Sequence, residues 1–195
     1  MNRAQLKTHL RKLTLSAMFL AIGLVLPILT GQIPTIGNML LPMHLPVFLC
    51  GLICGWQYGG TVGFICPLLR FAIFGMPKMP MCIGMAFELA AYGLIVGLVY
   101  GLSKWKCVYS LYRAMIVAMI GGRIVWGIAR TIMVGAANVP FGWEVFITSG
   151  FVEAIPGIIL QLVLIPVIMV ALDKAKLVPF SKAHPKPGKA QDCSD

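Results

Sequence analysis

Acidic side chains are scarce in this sequence: six Asp and Glu stand against sixteen Lys and Arg in 195 residues, for a formal net charge of +10. Charged residues of either sign make up 11% of the chain, whereas a soluble domain carries about 25%. With 59% of residues hydrophobic and a mean hydropathy of +0.90, too little polar surface exists to clothe a globular fold in water. The chain reads as an all-α, polytopic membrane protein.

Other absences narrow the function. No C-x-x-C pair occurs among Cys50, Cys54, Cys66, Cys82, Cys107 and Cys193, so no zinc site or redox motif is spelled out. Cys50 and Cys54 lie one helical turn apart in an apolar run and read as small buried hydrophobes. The H-E-x-x-H zinc pattern and the Walker phosphate loop are both missing, and no metal or cofactor is expected. The excess of positive charge gathers at the chain ends and in one internal loop, a pattern that encodes topology and argues against a nucleic-acid partner.

What the chain has in abundance is long apolar runs, and a bilayer core needs about 20 such residues per helix. Six membrane helices are expected at about 13–30, 39–55, 58–75, 82–103, 110–135 and 147–172. Residues 1–12 form a basic N-terminal segment, and 173–195, polar and rich in Pro and Lys, read as a disordered tail. Arg3, Lys7, Arg11 and Lys12 precede the first helix. Lys104, Lys106 and Arg113 flank the fourth connection, and Lys174, Lys176, Lys182, Lys186 and Lys189 follow the sixth helix. With six helices all three clusters share one face, which the positive-inside rule makes cytoplasmic. Both termini are therefore expected inside a plasma membrane.

Ionisable residues at membrane depth are costly and mark functional sites. His44, Arg70, Glu88, Arg123, Arg130 and Glu153 fall in the expected helices, mostly toward the outer face. Two readings compete for them. Arg70 or Arg123 paired with Glu88 or Glu153 would merely fix the packing. Alternatively the group lines a pocket for one small solute, and three arginines against two glutamates favour an anion. Three stretches rich in helix-breaking residues lie on the same side: "TGQIPTIGNMLLPMHLP" (30–46) with Asn38, "FGMPKMPMCIGM" (74–85) with Lys78, and "AANVPFGWEVF" (136–146). Irregular backbone at that depth is tolerated where it lines a cavity. In "LPMHLPVFL" (41–49), Pro42 and Pro46 suit the first turn of the second helix, where missing donors do least harm. His44 would then face the cavity. Asn38 and Lys78 join the six buried groups as candidate substrate contacts.

Small residues recur four apart: Ala17 and Ala21; Gly51, Gly55, Gly59 and Gly63; Gly93, Gly97 and Gly101. That spacing lets helix backbones approach closely in lipid. The fourth-helix glycines read as internal packing.

"LTLSAMFLAIG", "LPMHLPVFLCGLICG", "GGTVGFICPLLRFAIFGMP" and "FELAAYGLIVGLVYG", in this order, resemble the substrate-binding (S) components of energy-coupling factor (ECF) vitamin transporters, over about 11–172. The resemblance implies a six-helix subunit that captures a micronutrient at the outer face and is not an enzyme. Its partners would be a transmembrane coupling subunit and two ATPases, with Ala17 and Ala21 meeting the coupling subunit. "LPMH" and "GMP" are closest to the group that includes pantothenate and queuosine-precursor carriers. Two other classes stay open. An intramembrane enzyme would have to use Ser149 and His44 without a recognisable motif, and a stand-alone secondary transporter or channel would lack visible inverted repeats.

Overall fold

The computed structural model describes residues 3–29, 42–77, 79, 81–103, 107–136 and 155–174. Among them are six α-helices and no strand: α1 (Arg3–Leu29), α2 (His44–Cys54), α3 (Trp56–Phe74), α4 (Met81–Leu102), α5 (Val108–Ala136) and α6 (Ile155–Lys174). The helical runs follow the expected apolar stretches with two differences. The first helix starts at Arg3 rather than near residue 13, because nothing in "RAQLKTHLRK" breaks a helix and Ala, Gln, Leu, Lys and Arg all favour one. The second begins at His44, with Pro42 outside it and Pro46 in its first turn, where the backbone N–H that proline lacks would have no helical partner anyway. Residues 39–41 of the expected span lie outside the described residues.

Among the described residues, four helices are long and apolar enough to cross a membrane: Gln5–Ile28, Met81–Leu102, Val108–Ile132 and Ile155–Lys174. α2, with 11 residues, is apolar but short. α3 has 19 residues, but Gln57, Arg70 and three glycines dilute its apolar character.

α4 is the hub, packing against α2, α3 and α5; α1 lies on α2 and α3, and α6 reaches α5 and α2. The α2–α3–α4 contact is made of backbone. A Cβ at Gly59 would stand 2.6 Å from the Gly51 Cα and 2.8 Å from the Gly93 carbonyl oxygen. One at Gly93 would run into the Gly59 carbonyl, and one at Gly63 into the Leu89 carbonyl. Gly97 lies equally close to Trp56, whereas Gly101 has nothing near it. The expected internal role therefore holds for Gly93 and Gly97 and stops there. Between α2 and α3 the chain turns on Gly55 (φ 102°), and α3 ends on a left-handed Gly75 (φ 68°) whose N–H donates to the Phe71 carbonyl.

Below this seam a core of Phe48, Leu89, Val96, Met115, Ile165 and Met169 joins α2, α4, α5 and α6. Outward-facing apolar side chains follow the helical period, as in Ile116, Ile120, Ile124, Ile128 and Ile132 of α5, which is the surface a lipid phase would accept.

Gly93→Ala should lower the thermal midpoint of the detergent-solubilised protein by the equivalent of about 1–3 kcal/mol, the usual cost of overpacking. Gly101→Ala should leave it unchanged or slightly raised.

Candidate functional site

Three helices deliver one polar cluster into the apolar bundle. Glu88 lies two turns into α4, His44 opens α2, and Arg123 sits midway along α5. All three are buried, at 2%, 1% and 5% exposure. Arg123 Nη1 stands 3.0 Å from Glu88 Oε1. The Tyr92 hydroxyl, one turn further along α4, donates to the same oxygen at 3.0 Å. His44 Nε2 lies 3.8 Å from that oxygen, within ion-pair range but too far for a hydrogen bond. The His44 ring meets Tyr92 edge-on at 5.2 Å, and Phe48 closes the far side of Tyr92 at 5.1 Å. Of the competing expectations, the Arg123–Glu88 pair is thus realised.

The cluster keeps polar atoms to spare. Arg123 Nε and Nη2 and both His44 ring nitrogens are buried without a hydrogen-bond partner among the described residues. A buried donor left unmade costs about 1–3 kcal/mol, so such groups favour the arrival of an acceptor.

Arg130 follows Arg123 by seven residues, two helical turns, on the same side of α5. Its guanidinium lies over the Trp126 ring, 5.8 Å from the centroid, and its Nε is buried without a partner among the described residues. Arg70 goes elsewhere. Its Nη1 donates to the Leu24 carbonyl of α1 at 3.2 Å, and its guanidinium covers Phe74 at 5.7 Å. Leu24 is in the C-terminal part of α1, which contains Pro27, and a cation there complements the helix dipole. Among the described residues no carboxylate pairs with Arg70. Asn38, Lys78 and Glu153 lie outside the described residues, as do Ser149, residues 30–41 and 137–146 of the first and third irregular stretches, and Pro80 of the second.

Two participants were not singled out beforehand. Tyr92 stands four residues after Glu88, a spacing that places both on one helix face. Trp126 fills the interval between the two α5 arginines, at i+3 of Arg123. At the other end of the bundle, Cys50 Sγ donates to the Ser16 hydroxyl at 3.6 Å, and His9 Nδ1 lies 3.1 Å from the Tyr58 hydroxyl. Ala17 and Ala21 are exposed on α1, one turn apart, facing away from the bundle. No group of three metal-ligating side chains occurs among the described residues.

Losing one member of a buried ion pair costs about 3–5 kcal/mol because the other charge stays behind. Arg123→Met should therefore destabilise strongly in thermal unfolding, and the double variant Arg123→Met/Glu88→Leu should recover most of the loss.

Among family models, that of the ECF transporter substrate-specific component matches residues 11–169. No curated protein and no solved structure matches the chain. Members of this family are the substrate-binding subunits of a transporter, not enzymes, and they work with a membrane coupling subunit and ATPases. Most of the sequence, from the middle of α1 to the last turns of α6 and with all of the polar cluster, lies inside the match, so this multi-pass membrane protein belongs to the substrate-specific components of ECF transporters.

Proposed function

We propose that this S component captures a small vitamin-like anion, pantothenate or a close analogue, at the end of the bundle that holds His44, Glu88 and Arg123. The observation that carries this reading is the set of unmade donors on Arg123, His44 and Arg130, all offered from inside an apolar bundle. Six membrane passages, with both termini cytoplasmic, place that end outward, in keeping with the three basic clusters of the sequence. Asn38 and Lys78 would complete the site from the outer connections and Glu153 from the outer part of the sixth expected helix, and Arg70 would anchor the outer end of α1.

A queuosine precursor is the second candidate, because a carboxylate can read the donor edge of a deazapurine. Glu88 favours the anion instead, since its Oε1 already accepts from Arg123 and Tyr92. A stand-alone transporter would need neither a coupling subunit nor ATPases.

Delivery would run through α1. Its exposed Ala17 and Ala21 offer a flat strip on which another helix can lie closely, and the coupling subunit is the partner proposed for it. Two ATPases on the cytoplasmic side would then supply the work.

Replacing Ala17 and Ala21 together by Leu should abolish co-purification of the coupling module and uptake by cells, with ligand affinity unchanged. Equal loss of ligand binding would assign the strip to internal packing. Native mass spectrometry of the detergent-purified protein should recover pantothenate or a related acid after release. Recovery of a deazapurine would move the assignment to the second candidate.

A further inference from the structure

Glu88 engages Arg123 through Nη1 and leaves a whole side of the guanidinium over. Nε and Nη2 are the remaining edge, two parallel N–H donors in one plane, buried and without a partner among the described residues. That fork matches the two oxygens of a carboxylate. Glu88 thus holds the arginine in place without filling the edge that recognises a planar anion.

The surroundings set the charge this edge can take. Helical side chains lean toward the N-terminus of their helix, so Arg130, lying over Trp126, leans back along α5 toward Arg123. Arg123 and Arg130 bring two positive charges from α5 and Glu88 one negative charge from α4, so the described arginines and carboxylate in this part of the bundle sum to a single positive charge. A monoanion neutralises it. A dianion would leave a net negative charge in an apolar interior, and a neutral solute would leave the arginine edge unmade.

We infer that the Nε/Nη2 edge of Arg123 is the specificity-determining subsite, taking the carboxylate of a monoanionic solute and rejecting its uncharged and phosphorylated counterparts. This rests on the capture reading above and narrows it to one charge state and one set of atoms. Glu88 and Tyr92 are positioning residues, acting through Arg123. The solute taken up is accordingly the free acid, and any phosphorylation follows entry.

The test is a binding titration of the full-length protein in detergent with matched probes: pantothenate, its alcohol pantothenol and 4′-phosphopantothenate, then biotin and lipoate with their neutral amides. The acid of at least one set should bind roughly 10- to 100-fold tighter than its uncharged member, the worth of a charge-assisted pair of hydrogen bonds. The phosphorylated member should be weaker than the free acid. Arg123→Lys, which keeps a cation for Glu88 and loses the planar fork, should lower the acid-to-neutral ratio several-fold with little change in melting temperature. A ratio near one in the unmodified protein, or one preserved in Arg123→Lys, overturns the inference. So does tight binding of the phosphorylated form. The comparison within the unmodified protein decides the matter even if the lysine variant does not fold. Stabilisation by a neutral or cationic vitamin alone would overturn the carboxylate subsite and leave solute capture standing. No binding by any vitamin would remove both.

Discussion

A carboxylate whose side chain is 3% exposed inside an apolar bundle has to be neutralised, and Glu88 makes that demand on two other helices. Arg123 answers from α5 with an ion pair, and His44 from α2 with a ring held just beyond hydrogen-bond range. Tyr92 adds a hydroxyl from α4 itself. The relative rotation of α4 and α5 follows, because turning either helix by a residue would leave both charges unpaired in a medium that cannot solvate them. The rest of the α4–α5 packing is apolar and adaptable. This one contact is not.

The helices were legible because lipid and core both ask for long apolar runs, and their approximate limits follow from that alone. Their ends were less so. Arg3 to Lys12 look like a solvated leader by charge, yet most residues there favour a helix and nothing stops the first one from starting early. Pro42 and Pro46 signalled a break, and the structure turns that signal into a helix start at His44. The short length of α2 was hidden, since hydropathy cannot tell a spanning helix from an apolar one that stops.

At the site, membrane depth named His44, Glu88 and Arg123, and the structure brings these three together. The same criterion grouped Arg70 with them, and there it failed for a physical reason: a backbone carbonyl and an aromatic face can hold a guanidinium as well as a carboxylate can. Depth does not say which neighbour a long side chain will reach. Tyr92 and Trp126 were within reach of helical spacing, four residues from Glu88 and three from Arg123, but uncharged aromatics in an apolar run carry no mark that separates them from ordinary core. Which donors remain unmade depends on the rotation of three helices at once and has no counterpart in the sequence.

The glycine contacts among α2, α3 and α4 have a mechanical consequence. Where backbone touches backbone there are no side-chain rotamers to absorb a shift, so these three helices move as one stiff slab. α6, meeting its neighbours through side chains, and α5, resting on α4 partly through Ile95 and Tyr92, have softer joints.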